Sequence, residues 1–166
     1  MEEIQLSQYG KNRGKYVALV DDEDFERANQ FRWCADEGRS GAIYAKRNIK
    51  DGNTYTGQKL HVFIMGEKDG FEIDHIKGNE LNCQKSNLRY ATHEQNCMNR
   101  KSNINTTSKY RGVSWYKTTR RWISKIYSKG KFYSIGYFHD EIEAARAYDL
   151  KAVELFGVFA RLNFPG

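Results

Sequence analysis

The chain has 166 residues, of which 39% are hydrophobic and 14% aromatic, so it can bury the core of one ordinary domain or two small ones and is not a disordered segment. No apolar run approaches the roughly 18 residues that a membrane-spanning helix requires, and the N-terminus lacks the apolar stretch of a secretion signal. We therefore expect a cytoplasmic protein with no membrane partner.

The net charge of +6 is concentrated in the C-terminal part of the chain. Residues 1–103 contain 16 basic and 16 acidic residues, whereas residues 104–166 contain 11 and 5. A one-sided basic field concentrates polyanions at the protein surface, which predicts DNA or RNA as the partner. The basic residues alternate with aromatic ones in strand-like segments, a pattern that disfavours a basic membrane-surface helix.

The first segment, residues 1–56, predicts a small α/β module. Strands are expected at residues 15–20 and 42–49, with a helix at residues 21–33 between them. The acidic start of that helix suits a helix N-terminus, where carboxylates accept backbone N–H bonds and complement the dipole. A metal site built from Asp21, Asp22 and Asp24 is the alternative interpretation.

The second segment, residues 57–98, contains the sequence DHIKGNELNCQKSNLRYATHEQN. Asp74 and His75 are adjacent, Asn87 follows twelve positions after the histidine, and Asn96 nine positions later. Hydrolysis of a phosphodiester bond needs a base for the attacking water and a cation for the developing charge. His75 is a candidate base, Asp74 and Asn96 offer hard oxygen ligands, and Asn87 can fix either the imidazole or a local turn.

Two further side chains in this segment have alternative interpretations. Arg89 can contact a phosphate group or pair with Glu94. His61, which precedes an apolar helical stretch, is expected to pack or to contact the DNA backbone rather than to catalyse.

The three cysteines, Cys34, Cys83 and Cys97, are widely spaced and form no C-x-x-C pair. This spacing disfavours a zinc site built on paired cysteines. We expect reduced and mostly packed thiols, and a hybrid site that adds histidines to two of the cysteines is the alternative.

The last part of the chain predicts a separate domain after a polar linker at residues 99–109. Residues 110–166 contain a short strand, two strands joined by a turn at residues 128–131, and a helix over residues 140–157. Asp140 is expected to cap the helix and Gly157 to end it. The helical residues expected to pack on the sheet are Ala145, Tyr148, Ala152 and Phe156.

Period-two alternation assigns the faces of this predicted sheet. Trp122, Ser124 and Ile126 fall on one face, with Trp122 expected in the core, and the opposite face is left for a partner. The residues expected to contact nucleic acid are Arg111, Lys117, Arg120, Arg121, Lys125 and Tyr127, together with Arg89 from the second segment.

The Asp-His pair, the Gly-Asn turn, Asn-Leu-Arg and the closing Gln-Asn occur in the order found in HNH endonucleases. Roughly residues 60–100 closely resemble the core of that family, especially its phage and intron-associated homing enzymes. The resemblance implies a two-stranded hairpin plus helix around one metal ion, with His75 as general base and Asp74 and Asn96 as ligands. It also implies that Asn87 orients the histidine. Because Asn96 replaces a histidine of many members, the ligand set favours Mg²⁺ or Mn²⁺ over Zn²⁺.

Residues 108–165 resemble the ethylene-response-factor (Apetala-type) DNA-binding domain of plants. The matching pieces include Tyr-Arg-Gly-Val, Glu-Ala-Ala, Ala-Tyr-Asp and Leu-Asn-Phe. Such domains place a three-stranded sheet in the DNA major groove and pack a helix behind it. Ser114 and Tyr116 stand where the plant domains carry part of their arginines, so the resemblance predicts DNA docking rather than a particular base sequence.

Together these patterns predict an α+β fold: a small N-terminal α/β segment, a central ββα-metal (HNH) module, and a C-terminal three-stranded antiparallel sheet packed on one helix. The predicted function is that of a metal-dependent, site-directed DNA endonuclease of the HNH homing type, which nicks one strand and leaves 5′-phosphate and 3′-hydroxyl ends. We expect one Mg²⁺ or Mn²⁺ ion, double-stranded DNA as partner, and a phage-encoded monomer acting in a bacterial host cell. A C2 dimer would permit a double-strand break.

Two other functions fit the sequence. The first is a DNA-binding regulator with a vestigial HNH fold and no catalysis. The second is an RNA-binding or RNA-processing protein that uses the same basic surface.

Overall fold

The computed structural model describes residues 1–7, 12–38, 41–99 and 107–165. The chain forms two compact units, Met1–His93 and Glu94–Gly166. Most of the predicted linker at residues 99–109 lies outside the described residues. Among the residues described, none of the helices has the length and apolar character needed to span a membrane.

The described part of the first unit contains two antiparallel strand pairs, a three-stranded antiparallel sheet, two short α-helices and a 3₁₀ helix at Lys85–Asn87. β1 pairs with β2, β3 to β5 form the sheet in the order β3-β4-β5, and β6 pairs with β7. In chain order the elements are β1 (Glu2–Gln5), β2 (Val17–Val20), α1 (Asp22–Asn29), β3 (Cys34–Glu37), β4 (Ile43–Asp51), β5 (Thr54–Lys59), α2 (Leu60–Met65), β6 (Glu72–His75) and β7 (Leu88–Ala91).

One hydrophobic core holds the first unit together. It draws residues both from the segment before residue 57 and from the segment after it, among them Ile4, Trp33, Leu60, Cys83 and Leu88. The predicted strands at residues 15–20 and 42–49 and the helix between them are present, while β1, β3 and β5 had not been predicted. Packing of the hairpin segment on this common core is what positions the candidate site.

The acidic cluster at the start of α1 has a structural explanation, but side-chain capping is not part of it. Asp21 occupies the N-cap position and makes no side-chain cap bond. Its carboxylate instead accepts hydrogen bonds from the Lys85 backbone N–H at 2.8 Å and from Gln84 Nε2 at 3.1 Å. Asp22 pairs with the N-terminal ammonium and Asp24 with Arg27. The prediction that these carboxylates cap the helix through hydrogen bonds was therefore wrong. Each of the three carboxylates has a partner within the chain, which explains the cluster without a metal.

The second unit is a three-stranded antiparallel sheet packed on one long helix, as predicted. The strands are β8 (Val113–Tyr116), β9 (Arg121–Ser128) and β10 (Lys131–Phe138), in the order β10-β9-β8. The unit begins within α3 (His93–Met98), and α4 (Glu141–Phe156) follows the sheet. The predicted α+β fold is confirmed, including the central ββα order of β6, β7 and α3.

Helix α4 matches its sequence signals closely. The Asp140 side chain accepts from the Glu143 backbone N–H at 2.9 Å, and Gly157 ends the helix at a φ of 53°. Tyr148, Ala152 and Phe156 pack against Ile126 of β9, while Ala145 packs near Val113 of β8. The predicted cap, stop and packing stripe are all confirmed.

Two backbone contacts explain other motifs of this unit. Gly112 has a φ of +73°, and a Cβ there would lie 2.1 Å from the Tyr148 ring, so only glycine allows this approach.

The Asp149 carboxylate accepts from the backbone N–H groups of Asn163 and Phe164 at 2.8 and 2.9 Å. Asn163 Oδ1 accepts from the Arg111 backbone N–H, so the Leu-Asn-Phe motif fastens the chain end to the segment before β8.

Candidate active site and nucleic-acid interface

Asp74 and His75 lie next to each other in β6, paired across the hairpin with Arg89 and Leu88 of β7. Successive strand residues point to opposite faces, so the carboxylate and the imidazole occupy different sides of the hairpin. Both side chains are buried, at 5% and 6% exposure. The side chains of Asp74 and His75 therefore have different surroundings, although the two residues are adjacent in the sequence.

The Asp74 carboxylate forms an ion pair with Arg89. Oδ2 accepts from Nε at 2.8 Å and lies 2.7 Å from Nη2. Charge-assisted pairing of this kind orients a carboxylate and neutralises it in a buried place. Asp74 is a partner that the sequence had not suggested for Arg89.

The His75 imidazole packs against the imidazole of His61 from α2. The two ring centres are 4.7 Å apart and the rings are nearly perpendicular, at 87°. Burial lowers the pKa of His75 to about 4, against the raising effect of nearby Glu80 and Asp74. Burial and the neighbouring His75 lower the pKa of His61 to about 3. Both rings are neutral at pH 7, and the expected packing role of His61 is confirmed by its contacts.

Asn87 holds the loop that follows His75. Its Oδ1 accepts from the Lys77 backbone N–H at 3.0 Å, and its Nδ2 donates to the Asn82 carbonyl at 2.8 Å. The backbone carbonyl of Asn87 also accepts from the Ile76 N–H at 2.9 Å. These bonds belong to the local turn, which is one of the two roles that the sequence left open for Asn87.

Side chains from the N-terminal segment also lie near His75, and the sequence had not pointed to them. The Tyr44 ring of β4 lies 6.3 Å from the His75 ring and 5.8 Å from the His61 ring. Lys59, at the end of β5, places its Nζ 4.2 Å from the Tyr44 ring centre. Pairing between distant strands brings these residues to the site, so no local motif signals them.

Cys83 lies beside the two histidines. One nitrogen from each imidazole and the Cys83 sulfur all lie within 4.8 Å of one another, and all three residues are buried. Burial raises the pKa of the Cys83 thiol to about 12. The thiols are free as expected, but Cys34 and Cys97 are exposed, so the prediction of mostly packed thiols was wrong.

Asn96 lies in α3, which begins at His93 and continues into the second unit. The expectation that Asn96 is a metal ligand is based on its position in the sequence motif.

The outer face of the second unit's sheet carries exposed basic and aromatic side chains. Arg121, Lys125 and Tyr127 are exposed along β9, and Lys117 and Arg120 are exposed in the turn before it. Ile123, on the same face, is 3% exposed, so this face is not wholly open. Four of the five exposed residues are cationic, which suits a polyanion partner.

Aromatic pairs lie on both sides of Lys125 on this face. Tyr127 stacks near Phe132 with ring centres 4.8 Å apart, and Tyr116 lies 5.8 Å from Tyr137. On the opposite face Trp122 is half-buried and contributes to the core, as predicted, with the exposed Trp115 ring 5.1 Å away.

Arg111 differs from its predicted position on this outer face. Its Nε donates to the Tyr148 hydroxyl at 2.7 Å and its Nη2 to the Met98 carbonyl at 3.0 Å. The guanidinium is therefore engaged inside the unit, because Arg111 precedes β8 and does not follow the strand alternation.

Comparisons with known proteins relate the sequence to one protein family. The family model described as HNH endonuclease matches residues 64–98. An uncharacterized HNH endonuclease, L560, of Acanthamoeba polyphaga mimivirus is 37% identical over 162 residues, covering 96% of this chain and 81% of that protein. Protein 3.8 of Escherichia phage T7 is 36% identical over 94 residues, covering 57% of this chain and 77% of the phage protein.

The chain belongs to the HNH endonuclease family. It also carries an AP2/ERF-like region. The AP2-like ethylene-responsive transcription factor TOE2 of Arabidopsis thaliana is 47% identical over 58 residues, which is 35% of this chain and 12% of the plant protein.

Proposed function

We propose that the chain is a metal-dependent, site-directed DNA endonuclease of the homing type that nicks one strand of duplex DNA. The observation that carries the proposal is the neutral His75 beside Asp74 on the β6–β7 hairpin of an HNH-family chain. A neutral imidazole can accept the proton of an attacking water. The exposed basic sheet face of the second unit supplies the affinity for DNA.

In this proposal His75 takes a proton from water as the water oxygen attacks the phosphorus atom. The bond from phosphorus to the 3′-oxygen breaks, which leaves a 5′-phosphate and, after protonation from solvent, a 3′-hydroxyl. The low pKa of His75 makes it a weak base in the free protein. Bound DNA phosphates are anionic and would raise that pKa, which would strengthen the base when substrate is present.

A divalent cation, Mg²⁺ or Mn²⁺, would neutralise charge on the phosphate group and on the departing oxygen. The donor set fits such an ion, because Asp74 offers carboxylate oxygen and Asn96 amide oxygen. Arg89 holds the Asp74 carboxylate in place through Oδ2, and Asn87 keeps the loop after His75 in its turn. Arg89 is also proposed to contact a DNA phosphate during binding.

The second unit would dock on DNA through the outer face of its sheet. The residues proposed to contact DNA there are Lys117, Arg120, Arg121, Lys125 and Tyr127. Phosphate contacts by lysine and arginine supply affinity without sequence readout. This face therefore explains how the unit docks on DNA but not which DNA sequence it prefers.

The test uses supercoiled plasmid that carries the chromosomal neighbourhood of the gene, incubated with the full chain and Mg²⁺. Wild type should convert the plasmid to the nicked form, and His75→Ala should lower the rate by at least about 100-fold while it still binds DNA. His139→Ala is the matched control, since this histidine is exposed in the second unit, and it should cut normally.

Normal cutting by His75→Ala would remove the general-base assignment. An intact plasmid with wild type, across Mg²⁺, Mn²⁺ and several candidate targets, would overturn the nuclease and favour a DNA-binding regulator. Stronger binding to duplex RNA than to duplex DNA in competition would contradict the sheet docking, because the A-form major groove is too narrow for it.

A further inference from the structure

His61, His75 and Cys83 converge from three parts of the first unit. His61 comes from α2, His75 from β6, and Cys83 from the loop between β6 and β7. Their nitrogen and sulfur donor atoms lie within 4.8 Å of one another, and the side chains are 6%, 6% and 1% exposed. A thiol and two imidazoles are a donor set that the hard-oxygen chemistry proposed around Asp74 does not use.

We propose that His61, His75 and Cys83 form a binding site for Zn²⁺ or a similar soft divalent ion, and that an ion bound there inhibits cleavage by occupying His75. The inhibition rests on the proposed endonuclease function, whereas the binding site does not.

The donor types favour this class of ion. Zn²⁺ binds cysteine sulfur and histidine nitrogen, while Mg²⁺ prefers oxygen. A tetrahedral ion with bonds of about 2.1 Å to nitrogen and 2.3 Å to sulfur needs donor atoms roughly 3.3–3.7 Å apart. Each donor would therefore move by less than about 1 Å from the spacing seen here, and water would take the fourth position.

The protonation states are compatible with binding. Imidazoles bind metal ions through a neutral ring, and two buried rings with centres 4.7 Å apart disfavour two positive charges. The Cys83 thiol would lose its proton to solvent as the ion binds, and the new sulfur–metal bond replaces the sulfur–hydrogen bond. No oxidation or reduction is involved.

The proposed Zn²⁺ site uses the face of β6 that carries His75, whereas the Asp74 carboxylate is on the other face. Asp74 and His75 are successive residues of β6, so their side chains lie on opposite faces. A soft ion on the His75 side would leave Asp74 with Arg89 and still remove the base. Excess Mg²⁺ should therefore fail to restore cleavage that Zn²⁺ has blocked.

The binding test uses Co²⁺ as a spectroscopic probe with the metal-free full chain. Wild type should show a sulfur-to-cobalt charge-transfer band that saturates at one equivalent and disappears when Zn²⁺ displaces the cobalt. Cys83→Ala should lose the band. The exposed cysteines are the matched controls, and Cys34→Ser and Cys97→Ser should keep it.

Loss of Cys83 also removes packing from the core, so a second pair of variants separates binding from stability. Leu88→Ala weakens the same core without removing a ligand and should keep the band. His61→Asn retains Cys83 and should weaken cobalt binding by at least about tenfold, since one of three protein ligands is lost. Circular dichroism would check that each variant is folded.

The inhibition test titrates Zn²⁺ into the plasmid assay with constant Mg²⁺. Wild type should lose activity, and the Zn²⁺ concentration for half-inhibition of Cys83→Ala should rise at least about tenfold, each relative to its own Zn²⁺-free rate. No band at one equivalent, or a band that persists in Cys83→Ala, would overturn the site while leaving the endonuclease intact. If the cobalt band behaves as expected but the chain cuts no DNA, the proposed endonuclease activity and its inhibition are overturned, while the metal-binding site stands.

Discussion

The Asn87 side chain forms hydrogen bonds across the loop after His75. It is 1% exposed and bonds to Lys77 and Asn82 on the far side of that loop. A buried amide that loses its bonds leaves backbone groups of the loop without partners, and that penalty is larger than the value of the bonds themselves.

We expect Asn87→Ala to lower the free energy of unfolding of the first unit by about 2–3 kcal/mol. Asn79→Ala is the control, because Asn79 is exposed and its side chain accepts one bond, from Leu81 N–H at 3.2 Å. Hydrogen exchange of peptides from Met1–His93 measures both. Equal losses in the two variants would show that Asn87 does not hold the loop.

The buried histidines predict how the first unit responds to acid. The folded pKa of His75 is about 4 and that of His61 about 3, both below the value of about 6.5 in an unfolded chain. The unfolded chain therefore takes up protons at a higher pH than the folded one. Their contribution to stability is present above pH ~6.5 and is lost as the pH falls through the folded pKa values.

We expect the free energy of unfolding of the first unit to fall by up to about 1.4 kcal/mol per pH unit for each histidine as the pH drops below about 6.5. His61→Gln should flatten this dependence, and His139→Gln should leave it unchanged. Hydrogen exchange between about pH 7 and pH 5 provides the measurement. A flat profile in wild type would contradict a buried, neutral pair.

Helix α4 shows how strongly a local signal can determine an element. A hydrogen bond from the Glu143 N–H to the Asp140 carboxylate caps its first turn. The carboxylate also complements the helix dipole at that end. Both effects depend on residues three positions apart, so the sequence alone was enough to predict them.

We expect Asp140→Ala to destabilise the second unit by about 1 kcal/mol, the usual value of an N-cap. Glu154→Ala, near the other end of α4, removes a surface ion pair with Lys151 and should change stability by less than about 0.5 kcal/mol. Exchange rates of peptides from Glu94–Gly166 report both changes. A larger loss in Glu154→Ala would mean that the cap contributes little.

The elements that the sequence did not predict are the short polar strands. β1 has the sequence EEIQ and β5 has TYTGQK, and neither shows apolar alternation. Their strand form depends on pairing with β2 and β4, and that pairing buries Ile4 in the core. Long-range pairing of this kind leaves no period in the local sequence.

The candidate site, too, was predictable from the sequence only in part. Asp74, His75 and Asn87 were identified from the order of a contiguous motif. The pairing of Arg89 with Asp74, the contacts of Tyr44, and the approach of Cys83 to His61 depend on how distant segments pack. Arg111 was misplaced because strand alternation was extended to a residue that precedes the strand.

Across the whole molecule, charge is unevenly divided along the sequence. Residues 104–166 contain 11 basic and 5 acidic residues, while residues 1–103 are balanced at 16 of each. Affinity for duplex DNA should therefore depend mainly on the second unit and should fall steeply with salt, because each neutralised phosphate releases counterions.

We expect Lys125→Ala to reduce the slope of log affinity against log salt by about 0.9, the contribution of one phosphate contact. Lys151→Ala is the control, since its Nζ lies 2.6 Å from Glu154 on the helix. Fluorescence anisotropy with a labelled duplex measures both slopes. A change in Lys151→Ala as large as that in Lys125→Ala would place DNA on another surface.

The core of the first unit runs directly up to His75: Leu88 pairs with it across the hairpin, and Leu60 precedes His61 in α2. Substitutions chosen to raise heat tolerance there would shift the position of the proposed base as well. In a directed-evolution experiment, thermostability and turnover would then be selected together in Met1–His93, whereas DNA affinity could be varied separately on the outward side chains of β8, β9 and β10.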